Sequence, residues 1–359
     1  MKGLVLAGGS GTRLRPLTYT GAKQLVPVAN RPVLFYVVDN LVHAGVKEIG
    51  IIISPQTGAE IQEALGDGES FGAKLTYIVQ DEPAGLAHAV KTARPFLGDD
   101  DFVMYLGDNL IGDKIQAAVK AFAEDEALGA WVMLKEVDDP SRFGVAVVDE
   151  AGDVVSLVEK PKEPPSNLAL VGIYIFRRTI FDAIEQIAPS ARGELEITDA
   201  ICKLIELDRR VRFNRIDAWW LDTGKKDDML LANDTVLDDW LERSVEGSVD
   251  HASDLVGRVR VEPGAIIERS TIRGPVVIGR DARIIDARIG PFTSIGDGVV
   301  VERSRVDHSV LMEGASVVDI PRLEDSLIGK RVKVRPSPAR HGGLSLMVGD
   351  DCVIEAASD

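Results

Sequence analysis

The stretch LAGGSGTRLRPLTYTGAKQLVPVANRP, residues 6–32, begins where a short apolar run ends. It concentrates glycine, proline, arginine and lysine, a composition that a packed core does not need. Glycines directly after a strand let backbone N–H groups approach phosphate oxygens, and the N-terminus of a following helix adds a favourable dipole. We therefore predict a β-strand, then a turn at residues 8–11 and a helix, with the turn binding phosphate.

Two familiar phosphate motifs do not fit this turn. A dinucleotide fingerprint requires a third glycine where Leu14 stands, and a P-loop requires Gly-Lys-Ser/Thr after four spacer residues. What remains is a glycine turn with Arg13, Pro16 and Lys23 in one short segment. A plain tight turn with solvated cations is the alternative interpretation.

Residues 1–240 alternate short apolar runs with segments of helical periodicity. This alternation predicts an α/β fold, a Rossmann-like, mostly parallel sheet with helices on both faces. Ligands of such sheets bind beyond the carboxyl ends of the strands. Residues 8–11 and 106–109 both follow predicted strands directly, so we expect them to meet at that edge.

The pattern changes after about residue 250, where helical periodicity fades. Aliphatic residues recur at steps of five or six between Gly, Pro and Asp, which is typical of a parallel β-helix. We predict a catalytic domain at 1–240 and a left-handed β-helix of imperfect hexapeptide repeats at 241–359, with 337–351 as a loop before a final strand. The repeating positions are Val261, Ile267, Ile272, Ile278, Ile284, Ile289, Ile295, Val301 and Val306.

Composition narrows the function classes. The chain has 359 residues, 45% hydrophobic and 27% charged, with a formal net charge of −16. Such an acidic chain is not expected to bind nucleic acid or an anionic membrane. Cys202 and Cys352 lie far apart, and neither they nor the five histidines have zinc-ligand spacing. With no signal-peptide pattern and no apolar run of about 20 residues, we expect a cytoplasmic protein.

The opening stretch resembles the signature of the sugar nucleotidylyltransferases, which join a nucleoside triphosphate and a sugar 1-phosphate. The resemblance continues through QDEPAGLAHAV, LGDN, FGVAVVD, VEKPKEPPSN, GIYIF, RGELEITD and WLDTG, in the family's order. It covers essentially the whole first domain, and within the family the long-form glucose-1-phosphate thymidylyltransferases are most similar. The resemblance implies dTTP and glucose 1-phosphate as substrates, dTDP-glucose and pyrophosphate as products, and Mg²⁺ as cofactor.

The resemblance also assigns roles to residues. It places Mg²⁺ at Asp108 and Asp222, two carboxylates that end predicted strands and offer the oxygen ligands this ion takes. The implied catalytic cations are Arg13, Lys23 and Lys160. The implied nucleotide-binding residues are Leu6, Gly8, Gly9, Gly11, Thr12, Arg13, Gln24, Gln80, Pro83, Gly85 and Asp108. The implied sugar-phosphate residues are Asn109, Gly144, Glu159, Lys160, Val171, Gly172, Arg192 and Glu194.

These residue types suit direct attack of the sugar phosphate on the α-phosphorus. A phosphate dianion is already a nucleophile, so no base is needed, and the implied site contains no histidine or cysteine. The obstacle is repulsion between two anions, which cations and Mg²⁺ reduce. Gln80 offers a donor and an acceptor, which matches the imide edge of thymine or uracil.

Several alternatives stay open at this point. A uridylyl- or adenylyltransferase would differ mainly in its base and ribose contacts, and a non-catalytic sugar-nucleotide sensor could keep the fold without turnover. The β-helix could be an acyltransferase, but His308 is the only histidine within its repeat, and a turn residue is the simpler interpretation. We expect an interface or regulatory module there and a homo-oligomer. If glucose 1-phosphate is the acceptor, the product would enter deoxysugar synthesis.

Overall fold

The computed structural model describes residues 1–9, 11–19, 21–336 and 352–353. The loop expected at 337–351 lies outside these residues, and of the final strand expected after it only residues 352–353 are described. The chain forms two compact units, which are described separately. The first comprises Met1–Ser10, Gly21–Leu25 and Val33–Asp222, and the second comprises Gly11–Thr20, Val26–Pro32 and Thr223–Asp359. The domain boundary expected at residue 240 stays a prediction.

Strands and helices alternate along residues 1–240, as predicted. The strands are β1 (Lys2–Leu6), β2 (Pro27–Val28), β3 (Arg31–Pro32), β4 (Glu48–Ile53), β5 (Lys74–Val79), β6 (Phe102–Leu106), β7 (Asn109–Ile111), β8 (Leu128–Glu136), β9 (Gly144–Val148), β10 (Val154–Glu159), β11 (Leu168–Phe176), β12 (Arg210–Arg215) and β13 (Trp220–Asp222). The α-helices are α1 (Val33–His43), α2 (Gly58–Leu65), α3 (Leu86–Thr92), α4 (Arg94–Leu97), α5 (Gln116–Glu124), α6 (Ile180–Ile184), α7 (Ile197–Glu206) and α8 (Lys226–Trp240).

A nine-stranded sheet forms the centre of the first unit. Its order is β10-β9-β11-β6-β1-β4-β5, and β8 pairs with both β11 and β12. The pairs β1–β4, β1–β6 and β4–β5 are parallel, whereas β11 runs antiparallel to β6, β8 and β9. The α/β prediction is confirmed, and the sheet is a mixed one because β9, β10 and β11 form an antiparallel half.

Alternate residues of the central strands enter two different cores. On β1, Leu4 and Leu6 pack with apolar residues of α3, α6 and α7. Val5 packs in the other core with residues of α1, α2 and α5. Because successive side chains of a strand point to opposite faces, these two cores show that helices cover both faces of the sheet.

The second unit contains the predicted left-handed β-helix. Its strands are β14 (Ser244–Val245), β15 (Ser248–Val249), β16 (Asp254–Val256), β17 (Val259–Val261), β18 (Ile266–Glu268), β19 (Thr271–Arg273), β20 (Val276–Ile278), β21 (Arg283–Ile285), β22 (Arg288–Ile289), β23 (Thr293–Ile295), β24 (Val300–Glu302), β25 (Arg305–Val306), β26 (Val310–Leu311), β27 (Ser316–Val318), β28 (Leu327–Ile328) and β29 (Lys333–Val334). They form three parallel sheets of six, six and four strands, which make the three faces of the coil.

Equivalent residues in successive turns of the β-helix stack on one another. Ile267 pairs with Ile284, and Ile284 pairs with Val301, so one turn adds 17 residues. All three are fully buried in a single core made of the repeating aliphatic positions. The repeat seen in the sequence is therefore the inward-facing row of this core.

His308 is a structural residue of the second unit. Its backbone has φ +43, and its Nε2 lies 2.7 Å from Asp234 Oδ2 of α8, while its Nδ1 bonds Asp325. Both ring nitrogens are engaged by carboxylates, which raise the pKa of the ring although its partial burial opposes this. This arrangement fits the turn interpretation and leaves neither ring nitrogen as a base for acyl transfer.

None of the helices among the described residues is long and apolar enough to cross a membrane.

Candidate active site at the edge of the sheet

The first glycines of the opening stretch and Asp108 follow neighbouring strands. β1 and β6 run parallel with Leu6 opposite Leu106, and the amide of Gly107 donates to the Leu6 carbonyl at 2.9 Å. Gly8 and Asp108 therefore emerge side by side at the carboxyl edge of the sheet, where the sequence places the ligand.

Lys23 and Gln24 lie against this edge. The Lys23 ammonium forms an ion pair with the carboxylate of Asp108, whose side chain is largely buried. A Cβ at Gly9 would stand 3.0 Å from Lys23 Cε, so the lysine packs across the glycine backbone. Gln24 is 1% exposed, and its Oε1 is buried without a hydrogen-bond partner among the residues that the structure describes. A buried acceptor without a donor is costly, and a donor group of a ligand would satisfy it.

Glu60 of α2 holds the segment that contains Lys23, and sequence reasoning did not find it. Its Oε2 accepts a 2.7 Å hydrogen bond from the amide of Ala22, at the start of the 3₁₀ turn Lys23–Leu25. Both carboxylate oxygens would also lie 3.3 Å from a Cβ at Gly21. Its only sequence signal is an acidic residue on the polar side of an amphipathic helix, which does not distinguish it from Glu63.

Of the two aspartates proposed for the metal, Asp222 ends β13 and Asp108 directly precedes β7, the strand that pairs with β13. β13 runs antiparallel to β7 with Asp222 opposite Asn109, the residue after Asp108. Trp220 of the same strand donates from Nε1 to Asn109 Oδ1 at 2.8 Å. Carboxylates 114 positions apart in the sequence are thus neighbours through one short ladder.

Two carboxylates are a sufficient protein share for Mg²⁺, which keeps waters and substrate phosphates as its other ligands. No cluster of three or more His, Cys, Asp or Glu side chains suited to a metal occurs within the described part of the chain. An all-protein cage is therefore not present in that part, and the oxygen donors of Asp108 and Asp222 fit a metal that is shared with substrate.

Glu159 and Lys160 follow β10 next to two glycines. Glu159 pairs with Gly144 across the ladder, and a Cβ at Gly144 would lie 3.2 Å from Glu159 Oε2. Gly172 has φ +79 within an irregularity of β11, and a Cβ there would lie 2.8 Å from Asn109 Nδ2. Both glycines keep space in front of polar side chains, as close approach of a ligand requires. Val171, beside Gly172, is fully buried.

Arg192 gathers three carboxylates around the same place. Its guanidinium lies 2.8 Å from Glu196, 3.4 Å from Glu194 and 3.4 Å from Glu159. Glu196 is only 4% exposed and also accepts from Ser190 Oγ at 2.7 Å. Sequence reasoning missed Glu196, which fixes the arginine and stands within the same RGELEITD segment.

Partial burial raises the pKa of Glu159. The pKa of its carboxyl is raised above the ordinary value, chiefly by desolvation and also by the charge of Glu196. Lys160 and Arg192 oppose this rise but do not cancel it. Glu159 is therefore a carboxylate that hydrogen-bond donors of a ligand would stabilise in its charged form.

Gln80 and Gly85 form a third part of the first unit's edge. Gln80 Nε2 lies 2.9 Å from His88 Nδ1, and its Oε1 would lie 3.7 Å from a Cβ at Gly8. His88, on α3, was not predicted. Gly85 has φ +103 and packs on the backbone of Leu195, so a side chain there has no room. Pro83 is exposed in the loop between them.

Gly11, Thr12 and Arg13 belong to the second unit. The helix expected directly after the glycine turn is wrong: Thr12–Leu14 is a three-residue 3₁₀ helix, and the first α-helix starts at Val33. Arg15 is extended at φ −60 and ψ 142, as a residue before proline prefers, which stops the helix. Arg13 is exposed and has no ion pair with any residue that the structure describes.

Comparison with known proteins agrees with this geometry. The family model of nucleotidyl transferases matches residues 2–239. A glucose-1-phosphate thymidylyltransferase of Streptomyces griseus is 48% identical over 350 residues, 98% of both chains. The UTP–glucose-1-phosphate uridylyltransferase AglF of Haloferax volcanii is 41% identical over 230 residues, 64% of this chain and 93% of that protein. A solved structure described as a glucose-1-phosphate thymidylyltransferase of Bacillus anthracis with sucrose aligns with TM-score 0.61 at 39% identity, over 65% of this chain and 94% of that one.

Proposed function

The chain belongs to the nucleotidyl transferase family, and from that premise we propose that it is a glucose-1-phosphate thymidylyltransferase. It transfers dTMP from dTTP to glucose 1-phosphate and releases pyrophosphate. The observation that supports this most strongly is the pairing of β7 with β13, which brings Asp222 beside Asn109 and Asp108, with Lys23 on Asp108. The similarity to the S. griseus enzyme extends over nearly the whole chain, so it includes the β-helix.

The reaction is a direct in-line displacement. An oxygen of the sugar phosphate forms a bond to the α-phosphorus, the bond from that phosphorus to the bridging oxygen breaks, and pyrophosphate leaves with the electron pair. A phosphate dianion needs no deprotonation, so the site requires no base. Catalysis then rests on orientation of two anions and on neutralisation of their charge.

The chain's cations divide this work. Gly8, Gly9 and Gly11 bring backbone N–H groups to the triphosphate, with Arg13 as its counter-charge. Lys23, held between Gly9 and Asp108, lies toward the leaving pyrophosphate. Asp108 and Asp222 would hold Mg²⁺, which when bound neutralises phosphate charge.

The sugar phosphate binds at the other end of the site. Lys160 holds its phosphate as a compact donor, while Glu159 and Glu194 accept hydrogen bonds from sugar hydroxyls. Arg192, fixed by the buried Glu196, is a second phosphate contact. Gly144 and Gly172 leave the space that a bound sugar needs.

Gln80 reads the base. Its amide pairs with the imide edge of thymine, and the contact of its Nε2 with His88 Nδ1 fixes the orientation of that amide. Pro83 and Gly85 line the same end of the site.

The experiment is a nucleotide panel. The purified chain is incubated with Mg²⁺, glucose 1-phosphate and dTTP, UTP, ATP, CTP or GTP in turn, while pyrophosphate release is followed. We expect release to be fastest with dTTP and dTDP-glucose to be the product. Preference for ATP or GTP would contradict the assignment of Gln80 to a pyrimidine, and no release with any nucleotide would contradict the proposed activity.

UTP is the second candidate nucleotide, because the H. volcanii uridylyltransferase is 41% identical over the catalytic part of the chain. Thymine and uracil differ by one methyl group, which an apolar pocket discriminates by only about 1–3 kcal/mol. The panel above separates them by the ratio of kcat/KM values. A non-catalytic sensor is disfavoured because Asp108, Asp222 and every proposed phosphate cation are present.

We further infer a cytoplasmic homo-oligomer that feeds deoxysugar synthesis. Both substrates are phosphorylated metabolites, and the three flat faces of the β-helix are suited to self-association. The formal charge of −16 supports the absence of a nucleic-acid or anionic-membrane partner. Light scattering of the purified chain tests the oligomer.

A further inference from the structure

The hairpin β2–β3 belongs to the second unit, together with α8 and the β-helix. Val28 pairs with Arg31, and the two residues between them, Ala29 and Asn30, have φ +49 and +62. Two left-handed residues in a two-residue loop form the tight turn that joins antiparallel strands. Alanine is not suited to this conformation, so the surroundings must hold it there.

Asn233 of α8 holds the turn and the β-helix at once. Its Oδ1 accepts from the Ala29 amide at 3.0 Å and from Ser294 Oγ at 2.6 Å, and its Nδ2 donates to the Phe292 carbonyl at 3.1 Å. The side chain is fully buried. The bond to Ser294 is buried and the other two are partly buried, so the loss of this side chain is costly.

The turn also touches the β-helix directly. Asn30 Nδ2 donates to the Ile295 carbonyl of β23 at 2.5 Å. Ala29 packs against Leu237 and Leu241, at the end of α8 and beyond it, and against Val277 of β20. The hairpin is therefore fixed by hydrogen bonds and by apolar contacts.

A second segment of the opening stretch rests on the last described turn of the coil. Leu17 packs against Gly329, which lies between β28 and β29. A Cβ on this glycine would stand 3.2 Å from Leu17 Cδ2. Leu17 lies in the loop that contains Arg13. Within this loop, Thr18 Oγ1 donates a hydrogen bond to the Gly11 carbonyl at 2.7 Å. In the sequence, Lys23 and Gln24 stand between this loop and the hairpin.

We propose that Asn233 and Asn30 are positioning residues through which the β-helix fixes the hairpin and the loop of residues 11–19, which belong to the same unit. This role rests on the proposed function of Gly11, Thr12 and Arg13 in binding the triphosphate. In this account the β-helix is required inside one chain for nucleotide affinity, independently of any role in self-association.

Two variants test the proposal, and a third variant serves as the control. Asn233→Ala removes all three bonds of that side chain, whereas Asn30→Gly removes one amide and keeps a residue that accepts positive φ. The control is Ser270→Ala, since Ser270 is equally buried and bonds Glu268 O and Ala287 N within the β-helix. Asn233→Asp retains the acceptor and serves as the conservative variant.

We expect Asn233→Ala to raise the KM for dTTP about tenfold, with a smaller change in kcat and none in the KM for glucose 1-phosphate. Amide hydrogen exchange of residues 26–32 should accelerate in Asn233→Ala and Asn30→Gly but not in Ser270→Ala. Asn233→Asp should recover part of the lost affinity. Should Asn233→Ala not fold, Asn30→Gly alone gives the same comparison.

An unchanged KM for dTTP and unchanged exchange at 26–32, at a melting temperature lowered as much as in the control, would overturn the proposal. If the parent chain did not turn over dTTP, the proposed function would fail. The exchange experiment would still report whether the two asparagines fix the hairpin.

Discussion

Charged side chains are arranged differently in the β-helix and at the sheet edge. In the coil, Arg269 pairs with Asp286 one turn further on, and Arg303 pairs with Asp319 in the same way. All four have positive φ, so they stack at one corner as an alternating ladder. At the sheet edge, Glu159 is partly buried with a raised pKa, and Gln24 has an acceptor without a partner among the residues that the structure describes.

The difference separates charges that complete the fold from charges that need a ligand. The ladder satisfies each group with its neighbour and requires nothing else. Gln24 Oε1 has no hydrogen-bond partner among the described residues, and the pKa of Glu159 is raised although Lys160 and Arg192 lie within 3.5 Å of its carboxylate. Donor groups of a nucleotide or a sugar would stabilise both side chains. Such unsatisfied polar groups are typical of binding sites, where stability is given up for affinity.

The largest effect is expected at Arg13, because we propose that it supplies positive charge to the triphosphate. We expect Arg13→Gln to lower kcat/KM about 10²- to 10³-fold, in the range of other lost transition-state donors. Initial rates over a range of dTTP concentrations, at saturating glucose 1-phosphate, measure it. The matched control is Arg15→Gln two residues later, an exposed arginine that stacks on the Tyr19 ring, with near-native kinetics expected. Equal losses in both variants would contradict the role of Arg13.

Glu159→Gln should weaken sugar binding and stabilise the fold. The neutral amide loses charge-assisted hydrogen bonds to the sugar, so the KM for glucose 1-phosphate should rise about tenfold. Because burial raises the pKa of Glu159, the folded state binds this proton more tightly than the unfolded state does. The resulting contribution to stability is present at low pH and is lost as pH rises through the raised pKa. Removing the carboxylate should therefore raise the Tm at neutral pH.

The same shift predicts the pH dependence of affinity in the parent chain. As pH falls and Glu159 becomes protonated, the KM for glucose 1-phosphate should rise. Because the pKa of Glu159 is raised, this rise should occur at a higher pH than for an ordinary glutamate, whose pKa is about 4.3. Glu159→Gln should lose this dependence. A lowered Tm at pH 7, or an unchanged pH profile of the KM, would contradict the account of Glu159 as a carboxylate whose charged form is destabilised by burial.

A smaller effect is expected at Glu60, which acts through the backbone of Ala22. Glu60→Ala should lower kcat/KM by about fivefold to tenfold, which corresponds to one ordinary hydrogen bond of about 1 kcal/mol. Glu60→Gln keeps an acceptor and should recover part of the loss. Glu63→Ala, exposed on the same helix, is the control. If both alanine variants behave alike, Glu60 does not fix the lysine segment.

The smallest effect is expected from the ladder, at Asp286. The hydrogen bond to Arg269 lowers the pKa of Asp286. The contribution of Asp286 to stability is therefore present when the pH is above the ordinary aspartate pKa, and it is lost as pH falls through the lowered pKa. Asp286→Asn should lower the Tm slightly at pH 7, less so in high salt, with unchanged kinetics. A change in kcat or KM would show that the ladder and the site are not separate in function.

Much of this arrangement could be predicted from the sequence. The regular spacing of isoleucines and valines predicted the coil, because each 17-residue turn buries the same positions. The predicted ends of β1 and β6 placed Gly8 and Asp108 at one edge, since parallel strands present their carboxyl ends on the same side of a sheet. The antiparallel half of the sheet gave no such signal, because buried strands read alike in either direction.

Residues that act through other residues were not predictable. Glu60, His88, Glu196 and Asn233 are ordinary polar side chains in the sequence, and each gains its importance from a partner far along the chain or from burial. The expected helix after Gly11 failed for a local reason, the proline that follows Arg15. Local patterns identify positions that face a ligand and leave out the side chains that support them.

The central claim is that Asp108 and Asp222, brought together by β7 and β13, form one centre with a shared Mg²⁺. The direct test is the rate of dTDP-glucose formation from dTTP and glucose 1-phosphate as Mg²⁺ is titrated, in the parent chain, Asp108→Asn and Asp222→Asn. The account predicts saturable Mg²⁺ dependence in the parent and a loss of at least about 10²-fold in each variant. Near-native turnover in either variant would contradict it.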